Sequence, residues 1–311
     1  MKYVQYVNTV IKEQLSANSN IVLYGQNIDA GSSLSGLTRG FKVNEGFIIN
    51  TQNSENLLVG VGFGLMLNNI SSVFFMKQMD FLLLGIDHLV NTYNIIRQTN
   101  PNASFTVFPV TVDSGFEGPQ SALNNFDDFC SIAGVEGYSF TNKQDTQCII
   151  SKFLFKPGFR ILSTGQKLLR EEVLDLKVEY KDPNCKFFQY NKGNNATIIC
   201  FNQSLKYGIE LRDLMLKKSL TSSLFSINSH LNADYEYIFQ DISLTRNLII
   251  IDDTKSKNRL SNTFLTEVLS KCSINRYKIV YREPQINDYF PREDSLEIDY
   301  KGVINEIFIK I

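Results

Sequence analysis

Short apolar runs alternate with longer helical patterns along most of the chain, and this alternation strongly constrains the fold. Apolar runs of about four to eight residues, such as 21–24 and 248–251, are typical of buried strands. Residues 1–16 show helical spacing instead, because apolar side chains recur there every three or four positions. Strands separated by helices favour a parallel sheet that is covered on both faces. The sequence therefore predicts an α/β fold.

The chain has 311 residues, which exceeds the size of one typical domain of about 150 residues, so we expect two domains. The pattern of helices and strands lapses in one polar stretch, which includes the motif Lys-Asp-Pro-Asn at 181–184. We predict a first domain at 1–178, a linker at 179–195 and a second domain at 196–311. Each domain is expected to be a mostly parallel sheet with helices on both faces.

Composition and charge exclude several classes of function. The net charge is −1, so the chain lacks the basic surface that nucleic acids require, and we expect no nucleic-acid partner. No apolar run reaches about 18 residues, and no secretory signal begins the chain, which predicts a cytoplasmic protein without a membrane role. Two histidines, His88 and His230, and five scattered cysteines predict no metal site in this chain.

Residues 51–64 place one carboxylate at the start of a glycine-spaced apolar helix. Ser54 is a natural N-cap, and Glu55 falls in the first turn. Glycines at every second position from 60 to 64 would let another surface approach this helix closely. Their spacing differs from the Gly-x-Gly-x-x-Gly of dinucleotide sites, which also lies at a strand-to-helix turn. Taken alone, Glu55 fits a capping acid on a surface helix somewhat better than a functional acid.

A second motif follows, in which Phe81 precedes Ile-Asp-His-Leu-Val-Asn at 86–91. Together with Thr51, Ser54 and Glu55, it resembles the beta subunits of pyruvate and branched-chain 2-oxo acid dehydrogenases, and more distantly transketolase. That family reads Thr-Pro-x-Ser-Glu, then small residues, an aromatic and Ile-Asp-Gln-x-x-Asn. The resemblance covers nearly the whole chain. It implies a transketolase-like pyrimidine-binding domain followed by a transketolase C-terminal-like domain.

The resemblance also implies roles for individual residues toward thiamine diphosphate. Glu55 would be catalytic, because the matching glutamate bonds the ring nitrogen of the aminopyrimidine and so activates the cofactor. Phe81 would stack on the pyrimidine, while Phe75 and Asn53 would line the same cofactor pocket. The alternatives are that Phe75 is a core residue of the sheet and that Asn53 is a turn residue. His88 replaces the family's glutamine, and we expect it to be packed or interfacial rather than catalytic.

Departures from the family pattern bear on the substrate. Relatives place His-Ser-Gln after a Gly-Pro turn, whereas this chain has Ser-Ala-Leu at 121–123. Gln26 and Asn27 stand where relatives carry acidic residues. We therefore expect chemistry other than oxidative acyl transfer, such as simple decarboxylation, carboligation or ketol transfer.

The sequence contains no Gly-Asp-Gly, the motif that binds magnesium and diphosphate in this family. The resemblance therefore implies a separate alpha-type subunit that holds Mg²⁺, in an alpha2beta2 assembly with a beta–beta contact. The sequence predicts the beta subunit of a thiamine diphosphate-dependent oxidoreductase or transferase, active only with that partner on a small 2-oxo acid or ketose. The alternative is a non-catalytic structural or regulatory subunit that retains the fold and the interface.

Overall fold

A computed structural model describes residues 1–113, 124–282 and 296–308. Within these residues the chain forms two compact units, and it passes from the first to the second between Asp175 and Leu176. Each unit contains a sheet of six strands in the described part of the chain. None of the helices described there has the length and apolar character needed to cross a membrane.

The first sheet is parallel throughout and has the strand order β2-β1-β3-β4-β6-β5. Its strands are β1 (Ile21–Gly25), β2 (Gly46–Asn50), β3 (Ser71–Met76), β4 (Ser104–Thr111), β5 (Glu136–Ser139) and β6 (Gly158–Gly165). The helices of this unit are α1 (Tyr3–Ala17), α2 (Glu55–Leu67), α3 (Tyr93–Ile96), α4 (Phe126–Ala133), α5 (Lys143–Phe153) and α6 (Gln166–Arg170).

Helices cover both faces of the first sheet, because its strands are apolar on both sides. Phe74 and Met76 of β3 belong to the core beneath α2 and α4. On the opposite face, the Thr106 hydroxyl donates to the Leu154 carbonyl just beyond α5, at 2.7 Å. Helix α1 packs against α5 on that side.

The segment between β3 and β4 is helical but irregular, whereas the sequence predicts one long helix at 82–96. A 3-10 helix spans Met79–Gly85, a π turn spans His88–Thr92, and α3 follows. Gly85 allows close packing on α2, since a Cβ there would lie 2.7 Å from Val59 Cγ2. This close approach sets the end of the 3-10 helix tightly against α2.

The second sheet has the order β12-β11-β9-β10-β8-β7, in which β9 to β12 are parallel and β7 and β8 are antiparallel to their neighbours. Its strands are β7 (Tyr180–Lys181), β8 (Phe187–Asn191), β9 (Ala196–Phe201), β10 (Ser222–Ile227), β11 (Asn247–Asp252) and β12 (Arg276–Tyr281). Its helices are α7 (Leu205–Leu216), α8 (Glu236–Thr245), α9 (Leu260–Lys271) and α10 (Tyr300–Phe308). Helices α8 and α9 share a core with Ile199 and Phe201. Gly208 of α7 lies against Cys200, whose side chain faces the other way. The predicted α/β class, with two mostly parallel sheets covered on both faces, is confirmed.

The segment 179–195 differs from the predicted linker, because it supplies β7 and β8 to the second sheet. Phe187 and Phe188 are buried there, and the Asn195 amide donates to the Thr221 carbonyl at 2.9 Å. Short antiparallel strands joined by a polar turn give little apolar signal, which explains the misassignment. The loop predicted at 115–120 and the substitution at 121–123 lie outside the described residues.

Candidate active site

A cleft opens at the carboxyl ends of β1 and β3, where the strand order reverses direction. After β1 the chain turns to the face where Phe41 packs on Phe75. After β3 it turns to the other face, where Phe81 joins the core beneath α2. Parallel sheets bind ligands in the crevice formed at such a switch point. The topology therefore makes this cleft a candidate ligand site.

Glu55 projects into this cleft from the first turn of α2. The helix starts here because the Leu58 amide donates to the Ser54 carbonyl at 2.9 Å, while the Ser54 side chain makes no cap. Glu55 is only 8% exposed. Its carboxylate makes no hydrogen bond or ion pair with any residue that the structure describes.

Two other buried carboxylates, Asp145 and Asp241, contrast with Glu55 because they are hydrogen-bonded. Asp145 accepts from the backbone amides of Thr141 and Asn142 at 3.0 and 2.9 Å. Asp241 accepts from the Thr197 hydroxyl at 2.7 Å. A buried charge without a partner is costly, so such a group usually has a ligand or a proton to hold. Glu55 is therefore open to a ligand in a way that Asp145 and Asp241 are not.

Phe81 lines the same cleft and is half-buried, with part of its ring packed on the core. Leu58, Phe74 and Met76 complete an apolar lining and are 8%, 2% and 3% exposed. The Phe74 ring is held by a stacked contact with Tyr24, with centroids 5.1 Å apart. One acid beside a partly free aromatic face on an apolar floor suits a flat heterocycle that carries a ring nitrogen.

The other two predicted residues, Phe75 and Asn53, also line the cleft. Asn53 is exposed at its mouth. Phe75 has no exposed surface, and its ring packs against Phe41 and Phe108 with centroids 5.7 and 5.3 Å away. The structure thus favours the alternative in which the Phe75 side chain is a core residue that supports the cleft.

Two polar residues of the cleft, Gln26 and Lys77, were not predicted as site residues. Each directly follows a strand, Gln26 after β1 and Lys77 after β3. The two residues line one cleft only because β1 and β3 are neighbours in the sheet. The sequence alone does not predict that strand order. Among the described residues, no group of three His, Cys, Asp or Glu is placed to hold a metal ion.

Two of the three glycines of α2, at positions 60 and 62, pack closely against other residues of this chain. A Cβ on Gly60 would lie 2.9 Å from His88 Nε2, and one on Gly62 would overlap the Phe105 ring. The His88 Nδ1 atom is hydrogen-bonded to the Thr92 hydroxyl at 2.8 Å, and His88 is absent from the cleft lining. Only Gly64 of the three faces open space, so the close approach predicted at 60–64 is largely intramolecular.

The enclosed part of the cleft measures about 20 Å³. That is room for about one water molecule. A ring bound beside Phe81 would therefore remain open to solvent unless a further surface covered it.

No protein family model matches the chain, but individual known proteins are similar to most of its length. The beta subunit of 2-oxoisovalerate dehydrogenase from Bacillus subtilis (strain 168) is 18% identical over 290 residues, covering 84% of this chain and 82% of the relative. The beta subunit of the pyruvate dehydrogenase E1 component from Mesostigma viride is 22% identical over 276 residues, covering 85% and 82%.

A solved structure described as a split gene transketolase, inactive beta4 tetramer, superposes with a TM-score of 0.71 at 13% identity, covering 91% of this chain and 90% of that one. Along most of its length this chain is therefore similar to beta subunits of the 2-oxo acid dehydrogenases and has the transketolase-like fold, which confirms the resemblance seen in residues 51–91.

Proposed function

We propose that this chain is the pyrimidine-binding beta subunit of a cytoplasmic thiamine diphosphate-dependent enzyme that acts on a 2-oxo acid or a ketose. The observation that carries the proposal is Glu55, a buried carboxylate without a protein partner in the described residues, in a cleft shared with Phe81. The similarity to 2-oxo acid dehydrogenase beta subunits supports the same conclusion.

The residues of the cleft fit the aminopyrimidine end of thiamine diphosphate. The Glu55 carboxyl would hold the ring nitrogen through a shared proton, and the apolar lining together with a covering partner surface would limit the access of water to that proton. Phe81 offers a ring face for stacking, a contact worth about 0.5–1.5 kcal/mol beyond its buried area. Leu58 and Phe74 exclude water beneath the ring. When bound, the cofactor would supply the nucleophilic thiazolium carbon that chemistry on a 2-oxo acid or a ketose requires.

A partner surface completes this site in our proposal. Leu57 and Val61 of α2 are 61% and 40% exposed, and Leu83 and Leu84 beyond Phe81 are 48% and 55% exposed. A helix that is apolar on all sides is usually buried in the assembled protein, and exposed apolar patches mark interaction surfaces. We assign this surface to an alpha-type subunit that holds the diphosphate and Mg²⁺ through oxygen ligands, in an alpha2beta2 assembly with a beta–beta contact.

The test is co-purification with an alpha-type chain that carries Gly-Asp-Gly from the same genome. Thiamine diphosphate is then titrated by calorimetry, and turnover is measured with a panel of 2-oxo acids and ketoses. Glu55→Gln is expected to abolish turnover without altering assembly, whereas Glu45→Gln, on an exposed side chain, serves as the matched control. Retained turnover in Glu55→Gln would refute the catalytic assignment. An assembled pair that does not bind thiamine diphosphate at all would support the structural or regulatory alternative.

A further inference from the structure

We propose that the ammonium group of Lys77 binds an anionic group of the substrate, a carboxylate or a phosphate. The inference rests on the proposed function, since it assigns the substrate side of the cleft whose cofactor side contains Glu55 and Phe81. It identifies Lys77 as a specificity-determining residue.

The backbone holds Lys77 at the edge of the cleft. Lys77 is the first residue after β3, and its neighbours Met76 and Gln78 are each only 3% exposed. Gln78 has an extended backbone, with φ −143° and ψ 144°. Because side chains alternate along an extended chain, two buried neighbours direct the intervening side chain outward. Lys77 is accordingly exposed, and it lines the cleft.

The charge of Lys77 is not neutralised within the described chain. Of the nine residues that line the cleft, Glu55 and Lys77 are the two with charged side chains, and no ion pair joins them. Lys77 also makes no hydrogen bond with any residue described here. Other lysines differ, since Lys143 pairs with Asp175 at 2.6 Å and Lys278 pairs with Glu306 at 2.7 Å.

An anion is the ligand that suits the remaining charged group of the cleft, the ammonium of Lys77. Glu55 and Phe81 are taken by the uncharged aminopyrimidine ring, so neither is available to the substrate. Gln26, on the β1 side of the cleft, is an uncharged amide that does not repel an anion. The flexible stem of lysine lets its ammonium act as a mobile point charge toward either a carboxylate or a phosphate.

The test uses the reconstituted pair loaded with thiamine diphosphate and compares Lys77→Met with Lys77→Arg. Lys42→Met, on another exposed lysine outside the cleft, is the matched control. Three probes separate the ligand classes: pyruvate for a carboxylate, fructose 6-phosphate for a phosphate, and dihydroxyacetone for an uncharged ketose. Binding is measured by calorimetry in the Glu55→Gln background, so that the probe is not consumed, and KM and kcat are measured with Glu55 intact.

We expect one anionic probe to bind, and Lys77→Met to weaken it by about 10-fold to 100-fold, as for loss of a hydrogen bond to a charged group. The loss should appear in KM rather than kcat, Lys77→Arg should restore most of it, and the affinity for thiamine diphosphate should stay unchanged. The proposal is overturned if neither anion binds the wild-type site, if dihydroxyacetone loses as much affinity as the anion, or if Lys77→Met instead weakens cofactor binding or assembly. If thiamine diphosphate does not bind the wild-type pair, the proposed function is rejected. If the cofactor binds but a Lys77 variant still binds anions normally, only the role of Lys77 is rejected.

Discussion

In the first sheet the chain leaves β1 and β3 toward opposite faces, and in the second sheet it leaves β9 and β11 in the same way. Both sheets therefore have a switch point at their carboxyl edge, where α/β proteins commonly bind ligands. At the first edge a cleft contains Glu55 and Lys77, which lack partners among the described residues.

At the second edge, three buried side chains, Asp253, Asp252 and Ser204, are hydrogen-bonded to the backbone of this chain. Asp253 accepts from the Gln203 amide at 3.0 Å, Asp252 accepts from the Thr254 amide at 3.0 Å, and the Ser204 hydroxyl donates to the Ile251 carbonyl at 2.8 Å. The contrast shows that topology supplies the position of a site, while the side chains placed there decide whether it serves a ligand or the fold.

The largest expected effect is on kcat, which should fall when the carboxylate at the first edge is replaced but not when one at the second edge is replaced. Glu55→Gln should lower kcat of the assembled enzyme by about 100-fold to 10,000-fold, the range of a general acid–base group. Asp253→Asn should leave kcat within a few fold but lower the melting temperature, because it disturbs buried hydrogen bonds of the second edge. Steady-state kinetics and thermal unfolding are measured on both variants. The distinction between the edges fails if Asp253→Asn is as inactive as Glu55→Gln.

Most strands of the first sheet could be predicted from the sequence because they are continuous apolar runs. Motif spacing alone selects Glu55 and Phe81 as candidates, since it does not depend on knowing the strand order, and both side chains line the cleft. The direction of the Phe75 side chain was not predictable, because a strand buried on both faces shows no alternation that tells its two sides apart. The sequence gives no signal for Lys77, because its place in the cleft depends on the strand order that brings β1 and β3 together.

The next effect compares two glycines that bring a helix close to each sheet. A Cβ on Gly62 of α2 would lie 2.5 Å from the Tyr24 hydroxyl oxygen, and one on Gly208 of α7 would lie 2.9 Å from Leu224 Cδ1. Alanine at either position should lower the free energy of unfolding by about 1–3 kcal/mol through overpacking. Only Gly62→Ala should also reduce kcat, because α2 carries Glu55.

Urea unfolding gives the stability change of each glycine variant, and steady-state kinetics of the assembled enzyme gives the activity. Equal loss of kcat in Gly208→Ala would contradict the view that the second edge serves the fold alone.

A smaller effect concerns the pH dependence of stability at the second edge. Burial raises the pKa of Asp253 to about 7, while nearby Arg282 opposes that rise. The folded state then holds a proton that the unfolded state releases above about pH 4, so the stability present in acid is lost as pH rises toward 7. Asp253→Asn should flatten this decline by about 1 kcal/mol or more between pH 5 and pH 8, since one pKa unit corresponds to about 1.4 kcal/mol. The free energy of unfolding is measured in urea at several pH values for both proteins. If it falls equally steeply with pH in the wild type and in Asp253→Asn, Asp253 is not the group responsible.

The smallest effect tests the outer side of α2 at the first edge. Gly64 faces open space, so a methyl group there meets no atom of the described chain within 4 Å. Alanine has the higher helix propensity, and Gly64→Ala should therefore raise the free energy of unfolding by about 0.5–1 kcal/mol, measured on the purified chain. Gly60→Ala, four residues away, is the control of opposite sign because His88 lies against that position. A destabilised Gly64→Ala chain would mean that the outer side of α2 is already covered before any alpha-type partner binds, which would remove the exposed surface on which the proposed pairing depends.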